Sequence, residues 1–297
     1  MNIPLWQYLI SMPLYIGILL ILVELMRKYW KASAIFWILA LFTFPLWFEQ
    51  LDGWFRWVKT FSVLIPTALI LGLGRLAHAG VRARFWEFFR RNWVLWALYA
   101  VLGLNILEAS LKDLAMGNYF NAISGFILIV TIPLFKSKGK RDGWAFSKGK
   151  PFDMLAYTDP IWNFLYTTWN IAFVYAENPG YAASSLCILL AAEIYPLIKR
   201  RPELYVQARA YTLAVHILIR ATYDIFTPIM DSSAFASDKA VYYWGLVNFV
   251  MHVPYLFYYF MKRRKSFNTV NGVDQSREDQ TKLSEDLSEQ DRDTSLT

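Results

Sequence analysis

The stretch Pro4–Met26 reads PLWQYLISMPLYIGILLILVELM, and its only charged residue is Glu24, close to its end. At about 1.5 Å per residue, a helix of this length exceeds the roughly 30 Å hydrocarbon core of a bilayer. The first basic residue, Arg27, follows the run, so the stretch lacks the positively charged amino end of a signal peptide. We therefore predict an uncleaved membrane-spanning helix whose amino end lies outside.

The composition of the whole chain agrees with a membrane location. The 297 residues are 56% hydrophobic, 18% aromatic and only 18% charged, whereas a soluble domain is about 45–50% apolar and about 25% charged. Cys187 is the single cysteine, which excludes an intrachain disulfide and a zinc site built from several cysteines. These proportions exclude a disordered chain, a disulfide-stabilised scaffold and an ordinary soluble enzyme.

Eight further apolar runs follow the first one. The nine predicted spans are residues 4–26, 32–48, 58–79, 93–111, 119–135, 160–176, 181–198, 208–230 and 240–261. The fold class that they predict is all-α, a polytopic transmembrane helix bundle over residues 1–265. Residues 266–297 contain eight acidic and three basic residues and no aromatic residue after Phe267. Such a segment cannot bury a core, so we expect a disordered acidic tail.

The distribution of lysine and arginine predicts the orientation of the bundle. The gaps that follow the odd-numbered spans contain 22 basic residues. The alternate gaps contain four, namely Arg56, Lys59, Lys112 and Lys239. Because cytoplasmic loops carry the excess of positive charge, the amino terminus is predicted outside and the carboxyl terminus in the cytoplasm. Arg220 is then the one base predicted inside the bilayer.

The eighth predicted span carries a regular series of polar residues. They are Arg209, Thr212, His216, Arg220, Asp224, Thr227 and Asp231. Successive members are three or four residues apart, which places every one of them on a single helical face. A face with seven polar residues avoids lipid, so we expect it to contact other helices or water.

Polar residues at similar predicted depths occur on the neighbouring spans. The candidate substrate or proton site therefore comprises His216, Arg220, Asp224, Glu193, Asn170, Asn248 and His252. Arg220 keeps its charge and needs a carboxylate partner, for which Asp224 and Glu193 are the candidates. His216 can carry a proton near neutral pH. Asn105 and Glu108 are candidates for the outer side of the same cavity.

Three functions fit this pattern. The first is transport of a small anionic solute or ion with proton coupling, in which Arg220 binds the anion and His216 or His252 carries the proton. The second is a metal-independent membrane enzyme that acts on a lipid or isoprenoid, with Glu193 or Asp224 as proton donor. The third is a non-catalytic membrane subunit whose polar stripe is an assembly surface. An Arg–Asp pair that only joins helices is the structural alternative to any such site.

Several kinds of chemistry have no motif in the sequence. The three histidines are not spaced as zinc ligands, and neither a P-loop, a dinucleotide-binding glycine motif nor a Gly-x-Ser-x-Gly elbow occurs. We therefore expect no metal and no cofactor. Membrane topology explains the basic residues, so nucleic acid is not an expected partner. The expected partners are the lipid bilayer, a small solute or lipid-like ligand, and a second copy or another membrane protein.

The stretch from Tyr157 to Tyr175 contains Tyr166, Trp169, Asn170 and Phe173. It resembles a bacterial family of multi-pass membrane proteins. The resemblance covers about 20 residues and implies a location in the bacterial cytoplasmic membrane. Because no activity is assigned to that family, it implies no substrate and no residue roles.

Overall fold

The computed structural model describes residues 3–80, 83–133 and 143–264, and the predicted tail at 266–297 lies outside these ranges. Helices dominate the described residues, which confirms the predicted all-α class. They are α1 (Leu5–Lys28), α2 (Trp30–Leu41), α3 (Trp54–Pro66), α4 (Arg75–His78), α5 (Arg84–Arg90), α6 (Trp93–Ala115), α7 (Tyr119–Thr131), α8 (Pro160–Glu177), α9 (Ala182–Lys199), α10 (Tyr205–Thr222), α11 (Phe226–Met230) and α12 (238–264).

Within the described ranges, four helical segments are long and apolar enough to cross a membrane. They are Leu5–Lys28, Trp54–His78, Trp93–Ala115 and Pro179–Lys199. Helix α1 is mostly exposed, and its surface carries large apolar side chains such as Leu5 and Leu9. Exposed apolar area of this extent indicates contact with lipid or with another apolar surface. The helices α2 and α7 are apolar but shorter, with 12 and 13 residues.

Helices α3 and α4 are joined by a π-helical stretch, Thr67–Gly74, so that the chain stays helical from Trp54 to His78. The stretch follows Pro66, whose missing N–H removes one bond from the α-helical ladder. Helix α2 packs closely against it, because a Cβ atom at Gly72 would meet the Cα of Ala34 at 3.4 Å.

The start of α8 follows from its first residues. The Asp159 side chain accepts a hydrogen bond of 3.0 Å from the N–H of Ile161, and Pro160 occupies the first helical position. An aspartate cap followed by proline is a strong start signal, because proline needs no N–H partner in the first turn. The predicted start at residue 160 is confirmed.

The eighth predicted span is not one continuous helix. Helix α10 ends at Thr222, three residues have no helical structure, and α11 begins at Phe226. Asp224 lies in this break, where its Oδ1 accepts hydrogen bonds from the N–H groups of Phe226 and Thr227 at 3.1 and 3.3 Å. The prediction that Asp224 continues the polar face of Arg220 on one helix was therefore wrong. Because its carboxylate accepts hydrogen bonds from the first N–H groups of α11, Asp224 stands at the start of a new helix and not within α10.

The described part of residues 136–159, which the sequence predicts as a loop, contains a β-hairpin. Strand β1 (Trp144–Phe146) pairs antiparallel with β2 (Met154–Ala156), with Ala145 opposite Leu155. All three residues of β2 are buried. The hairpin therefore belongs to the folded core and is packed against the amino-terminal part of α10.

Asp153 fixes the hairpin to three other parts of the chain. Its carboxylate accepts two hydrogen bonds from Arg27 Nε at 3.0 and 3.1 Å and one from Arg27 Nη2 at 3.0 Å. Arg201 Nη1 and Gln207 Nε2 donate to the same carboxylate, each at 3.2 Å. Since Asp153 is fully buried, these bonds join α1, the α9–α10 turn and α10 around one charge.

Arg75 is a second fully buried charge beside the hairpin. It donates hydrogen bonds of 2.7–3.2 Å to the main-chain oxygens of Met26, Arg27, Pro151 and Phe152 and to the hydroxyl of Tyr211. A guanidinium with five such bonds is compensated by neutral acceptors. Together Asp153 and Arg75 hold the hairpin firmly in the bundle.

Candidate functional site

A cavity of about 440 Å³ lies among helices α3, α6, α8, α9 and α10, and we call it the polar cavity. Its lining comes from residues within 50–63, 105–112, 166–178, 181–188 and 209–224. The volume is in the range of small-molecule binding sites.

One end of the polar cavity is open and the other is closed. Lys59, Glu108 and Lys112 are each between a third and a half exposed, and they stand where α3 begins and α6 ends. Arg209 and His216 lie deeper on α10 and are 8% and 2% exposed. Arg209 is only four residues from the start of α10 at Tyr205, so the cavity extends along most of that helix.

The charges that line the polar cavity are mostly positive. The basic residues are Arg56, Lys59, Lys112, Arg209 and Arg220, and the acidic residues are Glu108, Glu177 and Asp224. Two more basic than acidic side chains therefore face one enclosed space. Low-dielectric walls strengthen the field of this excess charge.

Lysines and glutamates at the open end form a balanced network, which we call the mouth network. Lys59 Nζ lies 3.6 Å from Glu108 Oε1 and 3.7 Å from Glu177 Oε1. Lys112 forms a close ion pair with Glu177. Two positive and two negative charges thus compensate one another, and all four groups remain partly accessible to water.

Arg220 has an aromatic partner instead of the expected ion pair. Its guanidinium carbon lies 3.6 Å from the centroid of the Tyr181 ring. The hydroxyl of Tyr181 donates a 2.7 Å hydrogen bond to Asp224 Oδ2. Tyr181 therefore connects the guanidinium to the carboxylate, and the direct Arg220–Asp224 contact that the sequence predicted is replaced by this stack.

Arg209 lies at the closed end and has the fewest partners of the buried basic groups in the polar cavity. Its Nη2 donates a long hydrogen bond of 3.4 Å to Asn170 Oδ1. Its Nε and Nη1 are buried and have no hydrogen-bond partner among residues 3–80, 83–133 and 143–264. Arg209 also forms no ion pair within these ranges. A buried cation without a counter-charge is costly, and this makes the closed end a candidate anion site.

His216 lies two helical turns beyond Arg209 and also lines the polar cavity. Its Nδ1 is 3.2 Å from the hydroxyl of Tyr15 on α1, and its ring packs against Phe226. Its Nε2 has no partner in the described part of the chain. The imidazole therefore has one nitrogen fixed by Tyr15 and one available to a ligand or a proton.

The structure brings together only some of the seven predicted site residues. Asn170, His216, Arg220 and Asp224 line the polar cavity, as do Asn105 and Glu108. Glu193 lies outside the lining, where it accepts a 3.1 Å hydrogen bond from Thr167 Oγ1.

Asn248 and His252 belong to a separate buried polar cluster. Asn248 Nδ2 donates to Asn121 Oδ1 at 2.8 Å, and Asn121 Nδ2 donates to Asp113 Oδ2 at 2.7 Å. His252 Nδ1 lies 2.6 Å from the main-chain oxygen of Asn248. Asn118 completes the cluster with a 3.0 Å bond to Asp113. These contacts join α6, α7 and α12, so the structure places Asn248 and His252 in a helix-joining cluster and not in the lining of the polar cavity.

The predicted site does not include Arg209 or the three bases near the open end. Arg209 belongs to the polar series of the eighth predicted span, but its position at the start of that span placed it among the cytoplasmic bases and not in the site. Arg56, Lys59 and Lys112 could have been selected from the sequence, because they are among the four bases in the gaps where the charge rule expects few. Within the described ranges, no group of three His, Cys, Asp or Glu side chains is arranged to hold a metal ion.

The chain matches the sequence profile of a known family. Residues 114–275, more than half of the chain, match the sequence profile of a family described as "Family of unknown function (DUF5692)". The match includes the α8, α9 and α10 sides of the polar cavity and leaves the α3 side outside it. Neither a curated protein nor a solved structure matches the chain. With more than half of its length covered by this profile, the chain belongs to the DUF5692 family.

Proposed function

We propose that the chain is a nine-span integral membrane protein that transports a small anionic solute with proton coupling. The observation that carries the proposal is the excess of basic over acidic side chains around one enclosed cavity, with the unpaired Arg209 at its closed end. A guanidinium keeps its charge under physiological conditions, so an anion is the ligand that stabilises it.

The orientation of the cavity supports an outward-facing state. In this proposal the amino terminus is outside, as the 22-to-4 distribution of bases predicts, and the starts of α3 and α9 then lie on the outer side. The ends of α6, α8 and α10 lie there as well, so the mouth network faces outward.

Helix α2 is about 18 Å long, shorter than the hydrocarbon core, and the short helical turn Phe44–Trp47 extends its span with aromatic side chains.

In this proposal the hairpin closes the inner side of the protein, next to the end of the polar cavity at Arg209. The N–H of Met154 in β2 donates a 2.7 Å hydrogen bond to Gln207 Oε1, two residues from Arg209. Alternating access needs a state that is open on one side and sealed on the other. In this proposal the hydrogen bonds of Asp153 and Arg75 hold the hairpin against the bundle and keep the inner side closed. These bonds break in the inward-facing state.

The proton is assigned to His216 in this proposal. Tyr15 on α1 contacts its Nδ1, and Arg209, Arg220 and Asp224 are the charged groups that act on it electrostatically. An anion bound between Arg209 and His216 offsets the positive charge that opposes protonation of the imidazole. Anion binding and proton binding at His216 therefore favour each other, which is the requirement for coupled transport.

The test uses the full chain in liposomes that contain a pH-sensitive dye. An inward proton gradient and a panel of organic and inorganic anions are applied, and we expect anion-dependent acidification of the interior. Arg209→Gln should abolish the signal, whereas Arg91→Gln, the same change at an exposed arginine, should not. If no anion acidifies the interior faster than in protein-free liposomes, the transport proposal is refuted.

A further inference from the structure

The closed end of the polar cavity also defines the chemical class of the anion. We infer that the ligand is an organic monocarboxylate with an apolar body, bound with its carboxylate on Arg209 and Asn170. This inference rests on the proposed assignment of the cavity to an anion and adds the ligand class and its position.

The open donors of Arg209 favour a planar oxyanion. Its Nε and Nη1 are unpartnered within the described ranges, and Nη2 has only the 3.4 Å contact with Asn170. A guanidinium with a free Nε–H and Nη–H groups matches the two oxygens of a carboxylate. Arg27 shows the side-on form of this match, in which Nε and Nη2 bind the Asp153 carboxylate at 3.0–3.1 Å. The corresponding donors at Arg209 are Nε and Nη2, of which Nη2 also makes the long contact with Asn170.

The balance of charges indicates a single negative charge on the ligand. Lys59 and Lys112 are compensated by Glu108 and Glu177. Arg220 is compensated by Tyr181 and the nearby Asp224. Of the two remaining cations, Arg56 is exposed to water and only Arg209 is buried. One buried uncompensated cation calls for a monoanion.

Part of the wall between the closed end and the mouth network is formed by apolar side chains. They include Ile188, Leu213, Ile217 and Phe173. An inorganic oxyanion on Arg209 would leave most of the 440 Å³ cavity, and these side chains, without a ligand contact. An apolar body fills that space and gains the free energy of burial, so the cavity favours an organic acid over phosphate or sulfate.

The inference is tested by binding, independently of transport. Equilibrium dialysis of the full-length protein in detergent with radiolabelled benzoate measures the affinity directly. We expect hexanoate to compete, whereas sulfate, succinate and the neutral analogue benzamide should compete at least about tenfold more weakly. Arg209→Gln should lower benzoate affinity about tenfold to a hundredfold, because it removes charge-assisted hydrogen bonds.

Two further variants keep the test decisive if Arg209→Gln does not fold. Arg209→Lys retains the charge but loses the planar donors, and we expect an intermediate loss of affinity. Leu213→Trp narrows the apolar part while Arg209 stays, and it should weaken benzoate binding. Arg91→Gln is the control and should bind like the wild type. Folding of each variant is checked by its elution profile.

The possible results separate this inference from the transport proposal. Benzoate binding that depends on Arg209, without flux in liposomes, supports the ligand class and refutes transport. Flux of another anion without benzoate binding refutes the ligand class and leaves transport in place. Sulfate competing as strongly as hexanoate, or wild-type benzoate affinity in Arg209→Gln, would overturn the inference.

Discussion

Asp153 is the most informative single position for testing how the β-hairpin is held in the helix bundle. Replacement by asparagine keeps the size of the side chain and removes its charge. Arg27 then keeps only its 4.0 Å contact with Glu24, and Arg201 keeps its ion pair with Glu203. Breaking a buried ion pair from one side costs about 3–5 kcal/mol. The Arg27 and Arg201 side chains are 15% and 35% exposed, so water recovers part of this loss. We therefore expect Asp153→Asn to lower the free energy of unfolding by about 3 kcal/mol, the lower end of that range.

Thermal unfolding in detergent, followed by the fluorescence of the 13 tryptophans, measures this effect. With an unfolding entropy of about 2.1 cal/mol/K per residue, about 3 kcal/mol corresponds to a decrease in Tm of roughly 5 °C for a chain of this length. Asp52→Asn is the matched control, because Asp52 is exposed at the start of α3 and the same change there should leave Tm nearly unchanged.

A double-mutant cycle with Arg27→Met identifies the pair as the cause. If Arg27 and Asp153 stabilise the fold through their mutual bond, the double variant should be more stable than the sum of the two single losses predicts. Additive losses, or a Tm of Asp153→Asn within about 1 °C of the Asp52→Asn control, would refute the view that this buried ion pair holds the hairpin in place.

Three other substitutions test the packing and the charges. Gly125→Ala should cost about 1–3 kcal/mol in thermal unfolding, because its Cβ would stand 2.0 Å from Ser110 Oγ; Gly103→Ala, where nothing lies within 4 Å, should instead be neutral or stabilising. Arg75→Lys should lower stability by at least about 1–3 kcal/mol, because an ammonium cannot make the five hydrogen bonds of the guanidinium. Tyr181→Leu should cost about 0.5–2 kcal/mol by removing the ring under the guanidinium of its partner on α10, and Tyr181→Phe should retain most of that contribution.

Sequence patterns located the helices well where local chemistry determines them. The Pro4–Met26 run became α1, and the Asp159–Pro160 pair marks the start of α8 within one residue. Both features act within one or two turns, so they can be read from adjacent residues. The break after Thr222 was missed because the apolar run continues through Ile225 and Phe226, and hydropathy does not register an interruption of three residues.

A signal for that break was nevertheless present. Asp224 precedes Pro228 by four residues, and a proline in a continuous helix would leave the carbonyl of residue 224 without its N–H partner. An aspartate at that position is also a good amino-terminal cap. The two residues together predict a new helix start, and they argue against the continuous helix that the regular spacing of the polar residues suggests.

The hairpin and the ion pair that fixes it depend on contacts between distant residues. Strands β1 and β2 have three residues each, too short for a periodic pattern. Asp153 contacts Arg27, which is 126 residues away in sequence. Neighbouring residues in the sequence do not indicate such a contact. The burial of Arg209 could not be predicted for the same reason, because its partners depend on how α8 and α10 pack.

The exceptions to a topology rule can indicate a binding site. Positive charge on the outer side works against the signal that orients the helices, so a base there needs another reason to be retained. Of the four bases that the charge rule predicts on the outer side, Arg56, Lys59 and Lys112 line the polar cavity, and Lys239 does not. Arg209 shows the complementary case, in which a base that fits the rule by position in the sequence is buried in the cavity by the packing of α10. Bases that depart from the rule, or that packing encloses, are therefore the first residues to test for a role in anion binding.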